Sequence, residues 1–278
     1  MINYLQKYCR NAWMQLLINK LIFFYPKKRL SFSSMSLSKV TNNSFDDINW
    51  LDHTDCDYIV KDQSIDAWRI NISKNLSKLD YFAPLLNTAE IARGNKYYQT
   101  KDKNRFTISR GALRHILGLY LHLPPASIIF STGINKKPFV ENQSGIQFNI
   151  SHSGDWILIA IAKSAIGVDV EFINPSFHFT DVLEDNFSID EIKQIKDKSP
   201  IETFFKFWTR KESITKTTGK GLDENLKLIP ATDGTHFVDS VIIDSIANLY
   251  ISTFKLNTEY IGSIGSNSPT SNLRFWDY

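Results

Sequence analysis

The stretch Ile166-Gly167-Val168-Asp169-Val170-Glu171, followed about forty residues later by Phe207-Trp208-Thr209-Arg210-Lys211-Glu212-Ser213-Ile214-Thr215-Lys216, decides how the chain is read. Ile166, Val168 and Val170 alternate with Gly167, Asp169 and Glu171, so as a strand one face is apolar and the other presents both carboxylates. Two residues of strand separate them by about 6.5–7 Å. Like charges this close raise each other's pKa unless a cation sits between them, and a hard divalent cation held by oxygens does so. The second stretch reads as a helix: Ser199 is placed to cap it, Pro200 opens it, Glu202 completes a capping box and Gly219 suits its end. On that helix Trp208, Glu212 and Lys216 share one stripe, and Glu212 is a candidate third oxygen ligand. Taken singly, each half also fits a blander role, as exposed acids on an edge strand or a helix-surface Glu–Lys pair.

Composition sets the frame. At 278 residues, 42% hydrophobic and 13% aromatic, the chain is globular and fills one large core or two modest ones. A net charge of +3 is too mild for a dedicated nucleic-acid binder. Cys9 and Cys56 show neither disulfide nor zinc spacing, which points to a reducing cytoplasm. The apolar runs Ala12–Ile18 and Leu21–Tyr25 follow Lys7 and Arg10 as in a signal peptide, but Asn19 and Lys20 interrupt them and no small-residue cleavage site follows. No transmembrane segment is expected; a helix packing on the protein itself is, with a partner-binding or membrane-surface helix as the alternative. The Ser/Asn/Thr-rich Ser31–Ser44 reads as a linker.

Trp68, Ile70 and Ile72 suggest a strand. Arg105 to Leu121 has helical apolar spacing and ends at Pro124-Pro125, with Arg110 and Arg114 expected as solvated decoration. Gly133 to Lys137 reads as a lysine-bearing turn before Pro138. Gln147 to Ile150 reads as a strand running into a polar loop, Ser151-His152-Ser153-Gly154-Asp155, before a strand from Trp156 to Ala162. Hydroxyls and amides there suit phosphate oxygens, although a turn with a locally satisfied histidine fits too. Ser188-Ile189-Asp190-Glu191 gives a further capping box, and the aromatics Phe204, Phe205, Phe207 and Trp208 read as core. Short strands are expected near Leu226–Ile229, Val238–Ile243, Leu249–Leu256 and Tyr260–Ile264. Helices followed by antiparallel strands argue an α+β fold.

The ordered motifs Lys137-Pro138, Phe148-Asn149-Ile150-Ser151-His152-Ser153-Gly154, Gly167-Val168-Asp169-Val170-Glu171 and Trp208-x-x-Lys211-Glu212-Ser213-x-x-Lys216 together resemble the Sfp-type (surfactin-type) 4′-phosphopantetheinyl transferases. The resemblance runs from about Ile65 to the C-terminus and is strongest from Arg105 to Leu222. It implies two similar α+β subdomains related by pseudo-twofold symmetry, residues 65–163 and 164–278, with the active site in the cleft between them and residues 1–64 as an N-terminal extension. It implies transfer of 4′-phosphopantetheine from coenzyme A to a serine of an acyl or peptidyl carrier protein by a cytoplasmic monomer. Under it, Asp169, Glu171 and Glu212 bind Mg²⁺ and Lys216 faces the phosphates; the base is Glu212, directly or through a metal-bound water, or Lys216 if its pKa is strongly lowered. Arg105, Lys137, Pro138, Ser151, His152 and Lys216 hold coenzyme A. The family's upstream basic residues have no assigned counterpart; Arg93 and Lys96 lie near their place. The alternatives are a non-catalytic module that binds coenzyme A or a carrier protein, expected to have lost one of the three acids, and an unrelated metal-dependent phosphohydrolase, expected to show further His or Asp ligands.

Overall fold

A computed structural model describes residues 36–133, 135–141, 144–197 and 199–278. The expected helix within residues 1–30 lies outside the described residues. The chain begins with strands β1 (Leu37–Phe45), β2 (Trp50–Asp52) and β3 (Ser64–Asn71), followed by helices α1 (Leu79–Phe82), α2 (Thr88–Gly94) and α3 (Thr100–Leu121). The hairpin strands β4 (Phe130–Thr132) and β5 (Pro138–Val140) precede β6 (Gln147–Ser153), β7 (Trp156–Ala162) and β8 (Ile166–Phe172). Helices α4 (Thr180–Asn186), α5 (Ile189–Asp197) and α6 (Pro200–Thr218) come next. The chain closes with β9 (Gly234–Asp239), α7 (Ser240–Ile243), β10 (Leu249–Asn257), β11 (Tyr260–Ser266) and β12 (Asn272–Asp277).

These strands form two five-stranded sheets, ordered β2-β12-β3-β7-β6 and β8-β11-β10-β1-β9. In the first, the strand–helix–strand–strand run β3–α3–β6–β7 is laid down in the order β3-β7-β6; in the second, β8–α6–β10–β11 is laid down as β8-β11-β10. Within each trio every pairing is antiparallel. The α+β expectation of two similar subdomains therefore holds as one plan used twice.

Side-chain alternation stacks the sheets. On β7, Ile157, Ile159 and Ile161 join Ile108, Ala112, Ile116 and Trp68 in a core under α3, while Leu158, Ala160 and Ala162 face Val168, Val170 and Ile264 of the other sheet. A third core holds Phe204, Phe207, Trp208 and Ile214 of α6 against Val40, Ile251 and Ile261. The layers are thus helix, sheet, sheet, helix, which explains why β7 reads as an unbroken apolar run.

The ends of the chain cross over. β12 follows the second unit yet lies between β3 and β2, and β1 precedes the first unit yet lies between β10 and β9. The sheets consequently do not follow the contiguous extents 65–163 and 164–278, and the linker expected over Ser31–Ser44 is, from Leu37 on, a strand. Its polar composition misled because the buried polar residues have backbone partners: Ser38 Oγ donates to Ser245 O, and Asn42 Nδ2 donates to Pro230 O and Thr232 O at 3.0 Å each.

Several local expectations also change. α6 starts at Pro200 as read, but Ser199 sits in the left-handed region at φ 47° and makes no side-chain cap, so that capping box is absent. The Ser188–Glu191 box is made. Leu226–Leu228 is a 3₁₀ turn, and the strand expected over Val238–Ile243 ends at Asp239 before a short helix. Arg114 is fully buried rather than solvated: its Nε and Nη1 donate to Glu90 Oε2 and Ile128 O at 2.8 Å each. Arg110 lies 3.8 Å from the same Glu90 carboxylate and over the Phe130 ring. A helix read by its apolar spacing hides such arginines, because their stems pack while their heads find acceptors.

Candidate active site at the seam of the two sheets

β6 and β8 are the facing edge strands of the two sheets, and they are joined by side chains instead of a backbone ladder. Asn149 Oδ1 accepts from Val168 N at 2.9 Å, and Ser153 Oγ accepts from Phe172 N at 3.1 Å. Ser151 Oγ donates to Asp169 Oδ1, and Ser153 Oγ to Glu171 Oε2, each at 2.8 Å. The period of two explains the set: 149, 151 and 153 share one face of β6, as Asp169 and Glu171 share one face of β8. The Ser151–Ser153 stretch is therefore strand, correcting the loop reading, and the turn is confined to Gly154-Asp155.

Helix α6 lies against β8 because Gly167 has no side chain. A Cβ there would come within 2.3 Å of both Ser213 O and Thr217 N, and one at Gly265 of β11 within 2.5 Å of Thr217 Oγ1. That approach brings the i, i+4 pair Glu212 and Lys216 over Asp169. Lys216 Nζ donates to Asp169 Oδ1 at 2.7 Å and to Ser151 Oγ at 3.1 Å, and lies 4.0 Å from Glu212 Oε2. Burial alone would lower the Lys216 pKa, but the charges of Asp169 and Glu212 outweigh it and hold the ammonium above its ordinary value. Glu171 is displaced the other way: burial first, then the Asp169 and Glu212 charges, push its carboxyl well above the usual range against the Ser153 bond and Lys216.

The acid cluster is short of positive charge. Asp169 Oδ2 is buried with no hydrogen-bond partner among the described residues, and Glu171 is proton-hungry beside two further carboxylates. Both conditions fit a hard cation bound through oxygen. As the side chains stand, no group of three or more His, Cys, Asp or Glu among the described residues is close enough to hold a metal, and the Lys216 ammonium provides the counter-charge.

The expected phosphate ligands divide. Ser151 belongs to the cluster. His152 lies on the other face of β6; burial, then the charges of Arg105 and Lys216, pull its imidazole down to about 3, so it is neutral near pH 7. Arg105 is on α3, paired with Asp102 at 2.9 Å. Arg93, left unassigned from sequence, also contributes to the positive surroundings of His152 and lies over Phe106. Lys137 Nζ donates to Ile166 O at 2.8 Å and Thr217 O at 3.2 Å, fastening the Pro138 hairpin to the start of β8 and the end of α6, and burial pulls its pKa to about 8. Ser153 and Asn149 bridge the two edge strands and were not singled out from sequence; continuing the alternation of Gln147–Ile150 through Ser153 would have found them.

Residues 67–164 match the model of the 4′-phosphopantetheinyl transferase N-terminal family, and residues 165–260 that of the 4′-phosphopantetheinyl transferase superfamily. The chain is 33% identical over 165 residues to the 4′-phosphopantetheinyl transferase HetI of Nostoc sp., covering 57% of this chain and 70% of that protein. It is 30% identical over 206 residues to the 4′-phosphopantetheinyl transferase psf-1 of Bacillus pumilus, covering 71% and 86%. To the 4′-phosphopantetheinyl transferase Sfp of Bacillus subtilis it is 27% identical over 194 residues, covering 68% and 85%. With two adjoining model matches and relatives aligned over most of their length, the chain belongs to the 4′-phosphopantetheinyl transferase superfamily, with Sfp among its relatives.

Proposed function

We propose that this chain transfers the 4′-phosphopantetheine group of coenzyme A to a serine of an acyl or peptidyl carrier protein, acting as a cytoplasmic monomer. The observation that carries the reading is the convergence of Asp169 and Glu171 from β8 with Glu212 and Lys216 from α6, beside Ser151. The carrier serine oxygen forms a bond to the β-phosphorus, the phosphoanhydride bond breaks, and adenosine 3′,5′-bisphosphate leaves with that bond's electrons. The protein need supply no nucleophile; it must hold the donor in line, neutralise phosphate charge and accept the serine proton.

Lys216, held cationic, is suited to the phosphates and unsuited to act as base. Glu212 is the proton acceptor in this reading. Arg105, Ser151 and neutral His152 are assigned to the coenzyme A phosphates, His152 as a hydrogen-bond donor. Lys137 reaches a phosphate only by giving up two carbonyls, so Lys137 and Pro138 are assigned to holding the hairpin in place. Asp169, Glu171 and Glu212 would hold Mg²⁺, which when bound offsets the three carboxylates and polarises a phosphoryl oxygen. A non-catalytic binding module would not need the three acids, and the sequence has all three.

The test is intact mass of an apo carrier protein incubated with this chain, coenzyme A and Mg²⁺, with a chelated control. A gain of one phosphopantetheine, lost on chelation, is expected. No gain across several carriers, with coenzyme A binding intact, would overturn transfer in favour of the binding module.

A further inference from the structure

The seam between the two sheets is closed in steps of two residues. Along β6, Asn149, Ser151 and Ser153 bridge to Val168, Asp169 and Glu171 of β8, and Ser153 reaches Phe172 N as well. The next position in that series is Asp155, but β8 ends at Phe172. The bridge there comes from the neighbouring strand: Tyr260 lies opposite Phe172 in the β11–β8 register, and its hydroxyl accepts from Asp155 N at 3.2 Å. Tyr260 is 7% exposed, and its ring meets that of Phe172 with centroids 5.1 Å apart. Gly154 makes room for it. A Cβ there would lie 2.2 Å from the Tyr260 hydroxyl oxygen, and the backbone sits at φ +53°, where glycine is favoured.

Asp155 has its other bonds in the first unit. Its carbonyl accepts from Ile72 N at 2.8 Å, and its Oδ1 accepts from Ser73 N at 3.0 Å and from Ser73 Oγ at 2.8 Å. Carbonyl and carboxylate thus tie the β6–β7 turn to one unit and the amide ties it to the other. The opposite end of β8 is held in the same way by Lys137, whose Nζ donates to Ile166 O. Asp169 and Glu171 lie between these two clasps. We infer that Tyr260 is a positioning residue for transfer: by holding the β6–β7 turn it fixes Ser153 against Glu171, and so sets where that carboxylate stands beside Asp169 and Glu212. The coupling is direct, because Ser153 is the residue before the turn and its hydroxyl both donates to Glu171 and accepts from Phe172 N, two bonds that weaken steeply when distance or angle slips. The consequence for turnover rests on the transfer reading; the clasp itself does not.

Tyr260→Phe keeps the ring and removes the hydroxyl. Single-amide hydrogen exchange by NMR on the full chain, with no substrate present, should show Asp155 and Phe172 quickening by about three- to tenfold, the worth of one neutral hydrogen bond, with β3 and α3 unchanged. Steady-state transfer should lose kcat by a similar factor at an unchanged KM for coenzyme A, and the loss should vanish when Tyr260→Phe is made on a Ser153→Ala background, because the turn acts through that hydroxyl. Unchanged exchange at Asp155 and Phe172 overturns the clasp, whatever the activity. A lowered urea midpoint with kcat per folded molecule intact overturns the positioning role, as does an equal loss of kcat with and without Ser153→Ala. Absence of transfer by the wild type overturns the transfer reading and with it the role in turnover, and the clasp then stands or falls on exchange alone.

Discussion

Glu212 and His152 show how one buried neighbourhood gives similar positions different work. Glu212 shares α6 with Lys216 and faces two carboxylates of β8. Replacing it with Gln keeps size and removes charge and basicity together. Glu212→Gln should lower turnover by about 10²–10⁴-fold, the range associated with a positioned acid or base, with the urea midpoint at or above that of the wild type because a crowded carboxylate is gone. Steady-state transfer and urea unfolding on the same preparation check both halves; unchanged turnover would remove Glu212 from the mechanism. His152 makes a pH prediction. Unfolded, its imidazole titrates near 6.5, and folded near 3, because it is buried beside Arg105 and Lys216. Between those values the unfolded chain binds a proton that the folded chain refuses, so stability falls as pH drops from about 6.5 toward 3. At pH 5 this single group removes about 2 kcal/mol relative to pH 7.5. Urea midpoints at the two pH values should therefore differ less in His152→Gln than in the wild type.

At the scale of elements, α6 is where sequence and structure agree best, and the exceptions have physical causes. The alternation of β8 and the i, i+4 spacing of Glu212 and Lys216 were legible because both faces of the motif are fixed by period alone. The contact partners were not. Gly167 and Gly265, which bring α6 against the sheet, are single letters whose meaning is another element's backbone at 2.3–2.5 Å. Lys211 gave no sign of its burial either. Its ammonium, fully buried, is 2.9 Å from Glu191 Oε2 of α5 and donates to Leu226 O and Ile229 O, tying α5 and the 226–229 turn to α6 one residue before Glu212. Such a pair has value mainly because breaking it strands a charge. Lys211→Met should cost about 3–5 kcal/mol, and adding Glu191→Gln should restore part of that, since the amide leaves no unpaired anion. Urea unfolding of the single and double variants measures the coupling; equal midpoints for the two would show that the stranded carboxylate is not the cause.

Over the whole molecule, the crossed ends decide how the site is held. Neither sheet is complete without a strand from the far end of the chain, and no periodicity in Leu37–Phe45 or Asn272–Asp277 announces a partner some 200 residues away. β12 carries Trp276 into the core under α3, where its indole N–H donates to Asp66 Oδ1 at 3.0 Å, and Phe275 of the same strand points the other way into the core between the sheets. Loosening β12 from one side thus loosens its grip on the other. The acid cluster sits at the seam, with Ser151 and Ser153 on one sheet and Asp169 and Glu171 on the other, so it exists only while both sheets do. Trp276→Ala, a large-to-small change in the first core, should cost about 3–5 kcal/mol. If the halves form one cooperative unit, native-state hydrogen exchange should quicken by the same factor in β10 and β11 as in β3 and β7. Quickening confined to β3 and β7 would mean that each half opens alone, and the seam would then come apart before either half unfolds. Transfer by the variant under native conditions separates the same cases: cooperative halves leave turnover per folded molecule intact, whereas independent halves lose it ahead of global unfolding, as Ser151 and Ser153 part from Asp169 and Glu171.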